Sequence, residues 1–431
     1  MDYKKQIGQM VNYIKKGEKS REDFKIGIEF EHFVVDKDSL KTISYYGEEG
    51  VGETLKELEQ FGWTGTYEGE YILELNKGNK TITLEPGSQL ELSIRAQSEI
   101  IDIEKEYLDF LNEIIPLLNR KNQGLITTSY HPVSKIEDLK LLPKKRYDFM
   151  FNYFKTKGKY AHNMMKGTAA LQVSIDFSSE EDYKRKFKVA NALSPVLHGI
   201  FDNGFYFEGE RWPKYNLRAE IWNNCDSARC GIVDKALDED FSYEKYADYL
   251  LNRPPIFIFK DNEVVYTGDK LIREIFDPEN YKINELEHLF TMFFPDVRTK
   301  RYIEIRMMDS VPYPLNFAAV ALIKGIFYDE DNLNKVYDYI KDITLEDIKT
   351  SKASIIEKGL EGSLIGEKIL DLGKWLLNIS KNGLKEEEKK YLLPLEDMLN
   401  EGKNPYEITK EKAHLGRKEA LSWCLLNNVW R

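Results

Sequence analysis

Alternating apolar and polar positions mark the first two-thirds of the chain. In residues 25–36 (KIGIEFEHFVVD), Ile26, Ile28 and Phe30 fall on one side of an extended segment. Residues 70–75 (EYILEL) and 81–85 (TITLE) bracket a short Gly-Asn-Lys turn and predict a hairpin. Residues 89–94 (QLELSI), 171–177 (LQVSIDF) and 301–307 (RYIEIRM) alternate as strands. Elsewhere the spacing becomes three and four. It predicts an amphipathic helix over 98–120 with Ser98 as N-cap, a second over 180–201, and a helical start carrying Ile7, Met10, Val11 and Ile14. From about residue 311 the pattern is almost wholly helical, over 315–328, 332–342, 364–380, 386–401 and 411–427. Hairpins join the strands as well as helices, which predicts an α+β fold with a mostly antiparallel sheet rather than a doubly wound one. Residues 1–330 read as a catalytic core, and 331–431 as a helical region packed on it within the same domain.

The length of 431 residues allows two or three domains, or one large domain with a helical appendage. A composition 42% hydrophobic and 31% charged excludes disorder and fibrous classes. Lys and Arg total 62 against 73 Asp and Glu, a formal charge of −11. That balance argues against nucleic acid or an anionic membrane as partner. No apolar run reaches transmembrane length. The first residues have neither the apolar core of a signal peptide nor the Arg/Ser-rich, acid-poor character of a transit peptide. Three cysteines, Cys225, Cys230 and Cys424, do not suggest a disulfide framework, and no His accompanies the first two as a zinc ligand. A cytoplasmic location is the expectation. Oligomeric state stays open.

Charge matters more in its placement. Side chains two apart on a strand share a face. Glu29 and Glu31 therefore stand together opposite Ile28 and Phe30; Gln89, Glu91 and Ser93 stand opposite Leu90, Leu92 and Ile94. Glu85 sits at a Pro-Gly turn beside them, Gln172, Ser174 and Asp176 share another face, and Tyr302, Glu304 and Arg306 a fourth. Singly, each is ordinary strand decoration. Side by side, so many carboxylates repel and require cations. Oxygen donors with little His suit Mg²⁺, with Mn²⁺ as an alternative. With Arg306 as an anion clamp, the pattern suggests phosphoryl transfer. The P-loop, GxGxxG and GxSxG signatures are all absent from the sequence. The residues alone lead to a metal-dependent, non-P-loop phosphoryl-transfer enzyme.

An ordered set of motifs is more specific. The chain resembles glutamate–cysteine ligases of the plant and proteobacterial type in its Gly27–His32 segment, in EPGSQLELS (85–93), in PKKRYDFM (143–150) and in TAALQVSIDFSSEED (168–182). Trp222 with Arg229 and Gly231, the 241–250 segment, and HLFTMFFPDVRTKRYIEIR (288–306) continue the resemblance in order. It implies a glutamine-synthetase-related fold whose antiparallel sheet forms a funnel-like site. It implies ATP-dependent joining of L-glutamate to L-cysteine through γ-glutamyl phosphate, the first step of glutathione biosynthesis. It further implies Glu29, Glu31, Glu85, Glu91, Gln172 and Glu304 at a metal site; Arg306, Arg229 and Glu304 in catalysis; and Gln89, Trp222, Lys166 and Arg306 at substrate.

Bland readings stand beside these. Glu85 can simply shape its turn, Asp176 can bond across strands, His162 and His288 read as structural, and Trp222 as packing. The sequence also departs from the family. Gly167 replaces an Arg, with Lys166 beside it as a substitute charge; Asn224 replaces an acid; Met307 replaces a Gly, and Ser310 and Val311 replace glycines. The alternatives are a γ-glutamyl ligase for another amine and a non-catalytic nucleotide- and metal-binding homologue.

Overall fold

The computed structural model describes residues 2–261 and 263–429. Its centre is a nine-stranded antiparallel sheet. In chain order the strands are β1 (Ile26–Asp36), β2 (Thr64–Glu68), β3 (Tyr71–Lys77), β4 (Lys80–Leu84), β5 (Leu90–Gln97), β6 (Gln123–Ile126), β7 (Ala170–Ile175), β8 (Val297–Thr299) and β9 (Ile303–Asp309). Across the sheet the order is β8-β9-β7-β1-β5-β4-β3-β2, and β6 pairs with the far half of β1. The α+β expectation is met, and so is the β3–β4 hairpin, whose turn holds Gly78 at φ 58°.

Alternation explains the two faces. Ile28, Phe30, Leu90, Leu92, Ile94, Val173, Ile303 and Ile305 are buried on one side. They meet the helices Ile100–Arg120 and Leu315–Phe327. The second of these is buried nearly all round, as its unbroken apolar run requires. One hydrophobic cluster extends from Met10 through the sheet to Leu399 and Leu426. The opposite face carries the polar residues, and register aligns them. Glu31 opposes Glu91, and Glu29 opposes Ser93 on β5 and Gln172 on β7. Glu304 on β9 opposes Ser174 on one side and Arg298 on the other. Between Ile305 and Met308 the strand β9 holds one residue more than β7 opposite it, a bulge at Arg306–Met307.

Several helix expectations need correction. Ser98 does not cap the long helix; the Ile100 N–H donates to Glu388, which also takes Lys324, so the cap comes from the far end of the chain. The 180–201 helix divides into Glu180–Ala192 and Ser194–Ile200, with Pro195 starting the second. Pro394 likewise marks the break between a 3-10 segment, Glu386–Leu392, and the helix Leu393–Asn400. The 364–380 helix starts only at Ile369, after a small hairpin, and 411–427 breaks into short turns around Gly416. A helix absent from the pattern reading, Leu345–Lys358, begins at a Thr344–Asp347 capping box.

Candidate active site

The polar face of the sheet floors a cavity of about 350 Å³. Glu29, Glu31, Glu91 and Glu85 enter it from β1, β5 and the end of β4, the acidic side, and Arg298, Lys300 and Arg306 from β8, β9 and the turn between them, the cationic side; Arg146 and Arg218 line it from helices. Met150, Met164, Met165, Trp222, Phe257 and Phe294 line an apolar part.

A continuous network crosses four strands. Glu304 accepts Arg298 Nε at 2.6 Å, Lys300 Nζ at 2.9 Å and Arg306 Nη1 at 2.9 Å. Arg306 also donates to Gln172 Oε1, and Gln172 Nε2 donates to Glu31 Oε1 at 3.0 Å. The second Glu31 oxygen accepts the Ala170 N–H at 2.7 Å. Gln172 is thus a bridge between a cation and an anion, which its amide can serve at both ends. Glu91 accepts Thr83 and Ser93 hydroxyls at 3.0 and 3.2 Å.

The carboxylates differ sharply in charge. Burial, then Glu91 and Glu304, pushes Glu29 up to about 7. Burial with Glu91 and Glu85 holds Glu31 well above the ordinary range, and burial with Glu85 raises Glu91. For Glu304, burial works the same way but Arg298, Lys300 and Arg306 outweigh it, so it lies well below. The Glu29–Glu31–Glu91 group is therefore short of positive charge, whereas Glu304 is saturated. Hard divalent cations fit that oxygen-rich group. They do not find a ready cage: among the described residues, no three His, Cys, Asp or Glu side chains stand close enough to enclose one ion.

The geometry revises several predicted roles. Glu304 is an ion-paired carboxylate, not an open metal ligand. Arg229 is fully buried away from the cavity, bonded to Asp226 at 2.5 Å, Tyr153 and the Pro254 carbonyl. It holds the loop rather than facing substrate. Lys166 donates to the Ile136 carbonyl and does not supply the missing arginine's charge. Nor could position 167 carry that arginine, since a Cβ on Gly167 would stand 2.2 Å from the Tyr130 ring. Gln89 lines the cavity, but its amide is committed to Gly87 N–H and the Thr168 carbonyl. It fixes the Pro-Gly turn, where a Cβ on Gly87 would stand 2.1 Å from the Lys166 carbonyl oxygen.

Glu85 reaches the cavity from the end of β4, and Trp222 is a wall residue with the Arg218 guanidinium 5.5 Å from its ring. Asp176 instead ties Lys19 and the Lys25 N–H, and His162 stacks on Phe151. Gly167, Asn224 and Met307 all lie outside the cavity lining. Arg218, Arg298, Lys300, Arg146 and His288 line it without having been nominated. Arg298 and Lys300 alternate with Val297 and Thr299, a strand-face signal readable in VRTK. Arg218, on the short helix Leu217–Asn223, carried no such signal.

Carboxylates and guanidinium groups gathered around a sheet-floored cavity suit a ligase that handles phosphates and carboxylates. The comparisons reach the same class. The model of glutamate–cysteine ligase family 2 matches residues 25–421. Glutamate–cysteine ligase A, chloroplastic, of Oryza sativa subsp. indica is 30% identical over 409 residues, covering 92% of this chain and 82% of its own. The chloroplastic glutamate–cysteine ligase of Nicotiana tabacum is 30% identical over 416 residues, covering 94% and 79%. The glutamate–cysteine ligase of Francisella tularensis, solved in complex with AMP, shares the fold at a TM-score of 0.55 and 14% identity, covering 93% of this chain and 87% of its own. The chain belongs to glutamate–cysteine ligase family 2 and is a ligase.

The cytoplasmic expectation is corrected by the plant relatives, which are named as chloroplastic. Few cysteines and an unremarkable first segment do not distinguish cytoplasm from a reducing organelle interior. No helix among the described residues is long and apolar enough to cross a membrane.

Proposed function

We propose that this ligase joins the γ-carboxylate of L-glutamate to the amine of L-cysteine at the expense of ATP. A γ-carboxylate oxygen attacks the terminal phosphorus and ADP leaves. The amine nitrogen then attacks the acyl carbon, phosphate leaves, and the amine loses a proton. The observation that carries this reading is the convergence of these carboxylates and cations on one cavity. Arg218, Arg306 and Lys300 would hold the substrate carboxylates and the phosphoryl group in place, with Arg298 itself held by Glu304 and the Thr291 and Phe293 carbonyls. Carboxylates among Glu29, Glu31, Glu91 and Glu85, no more than two to one ion, would hold Mg²⁺, or Mn²⁺ in its place. Bound there, the ion would neutralise and orient nucleotide phosphates. The thioethers of Met150, Met164 and Met165 offer a soft, apolar surface suited to a thiol-bearing acceptor.

Purified protein with ATP, Mg²⁺ and glutamate is to be challenged with a panel of amines while phosphate release is followed. Cysteine-dependent release is the expected result. Release with a different amine alone would replace the acceptor in this reading, and nucleotide binding without release on any amine would replace catalysis with a binding role.

The charge-short wall makes a second prediction. Glu29 ionises at about 7 in the metal-free protein, above its ordinary value. A raised carboxyl contributes stability below the ordinary carboxylate range and loses it as pH rises through the raised value. Metal-free protein should therefore lose melting temperature between about pH 4.5 and 7 from this group, with its neighbours adding to the loss. Added Mg²⁺ should raise the melting temperature far more at pH 8 than at pH 5.5. An equal rise at both would separate the ion from these carboxylates.

A further inference from the structure

Behind the cationic wall, Asp296 ties together three segments that shape the cavity. Its N–H donates to the Gly231 carbonyl at 2.9 Å, and its carbonyl accepts the Arg306 N–H at 3.0 Å. Two residues on, β8 carries Arg298. The Asp296 carboxylate points the other way, into protein. It is buried, and its Oδ2 accepts both Ser194 Oγ and Lys352 Nζ. His198 stands 4.0 Å from it, held neutral chiefly by burial and then by Lys352. Lys352, itself buried, is thus the cation paired with Asp296. It comes from the helix Leu345–Lys358, in the helical part of the chain that lines none of the cavity.

Arg218 lies close by. It donates to the carbonyls of Arg306 at 3.0 Å and Met307 at 3.1 Å, and Asp296 is among the anions acting on it. Arg218, Arg306 and Asp296 border one small void with Trp222 and Met307. A buried carboxylate without its ammonium is left uncompensated, and the groups able to answer it are His198 beside it and, across that void, Arg218.

We propose that Lys352 is a positioning residue for the ligation, neutralising Asp296 so that Arg218 and Arg306 stay turned to the cavity. This rests on the ligase reading above, in which those guanidinium groups hold the reacting anions. It makes the C-terminal helices part of the active-site machinery rather than packing alone.

The test uses the full chain as wild type, Lys352→Met, Lys352→Arg and the double variant Lys352→Met/Asp296→Asn. Melting temperature, kcat, KM for glutamate and ATP, and ATP affinity by calorimetry are measured. Lys352→Met should lose about 100-fold in kcat per folded molecule, the scale of a displaced positioning group. Lys352→Arg should keep most activity. The double variant should recover most of the loss, because no unpaired charge remains. A double variant as impaired as Lys352→Met, or Lys352→Met at the wild-type rate per folded molecule, overturns the proposal. If Lys352→Met does not fold, the double variant decides alone. If wild type shows no amine-dependent turnover, the ligase reading fails. ATP affinity then decides: weakening in Lys352→Met with restoration in the double variant supports the strut, and unchanged affinity overturns it.

Discussion

Glu31→Gln is expected to lower turnover by on the order of 10³-fold while leaving the metal-free protein as stable as wild type or more so. Both effects follow from one position. Glu31 opposes Glu91 in the β1–β5 register and shares the wall with Glu29 and Glu85. Its charge is disfavoured by burial and then by Glu91 and Glu85. An amide removes a negative charge from that crowd, which relieves repulsion. It also removes an anionic ligand from the group proposed to hold the cation. The shape is kept, and one amide oxygen can still accept the Ala170 N–H or Gln172 Nε2. Turnover with ATP, glutamate and cysteine, and melting temperature in chelator, are the measurements. A variant within tenfold of wild-type turnover would remove Glu31 from the machinery. A variant that loses activity by unfolding would mean that the carboxylate serves packing. Activity and stability moving in opposite directions mark strain kept for function.

The reason Glu31 could be singled out early is that strand alternation is a local property. Glu29, Glu31, Glu91, Gln172 and Glu304 face one way because their neighbours Ile28, Phe30, Leu90, Val173 and Ile305 face the other. Six of the nine strands and the sheet's polar side were legible for that reason; Thr64–Glu68, Gln123–Ile126 and Val297–Thr299 were not among the strands nominated. What alternation does not carry is the partner of each side chain. Glu304 looked like its neighbours on paper, yet Arg298 lies across the β8–β9 register and Lys300 in the following turn. The pairing exists only once the hairpin closes. Lys166 and Arg229 were nominated by position in a motif, and their side chains leave the cavity for the Ile136 and Pro254 carbonyls. Arg218 was missed because its short helix has no periodicity to read. The capping of the long helix by Glu388, 288 positions away from Ile100, depends on the same kind of distant closure. Helix breaks at Pro195 and Pro394 were visible in the sequence, and apolar spacing on either side concealed them.

Glu304→Gln should behave unlike Glu31→Gln, although both remove one carboxylate from the same sheet face. Glu304 is fully buried between Arg298, Lys300 and Arg306. Breaking a buried pair from one side costs about 3–5 kcal/mol, because the partners are left unpaired. Here three cations share the loss, so the variant should melt well below wild type at neutral pH. Turnover should fall by at least about 10²-fold even where the protein is folded, since Arg306 loses the anchor that holds it against Gln172 and through Gln172 against Glu31. The pH dependence distinguishes this from a metal-ligand role. Wild-type Glu304 lies well below the ordinary carboxylate range, where burial opposes its charge but Arg298, Lys300 and Arg306 prevail. Such a depressed group contributes stability above the ordinary range and loses it as pH falls through its lowered value. Wild type should therefore lose its advantage over Glu304→Gln in strong acid, and the two melting curves should converge there. Mg²⁺ should stabilise both proteins at pH 8, because Glu29, Glu31 and Glu91 remain in the variant. A variant as stable as wild type at pH 7, but deaf to Mg²⁺, would return Glu304 to the metal site and remove it from the ion-pair cage.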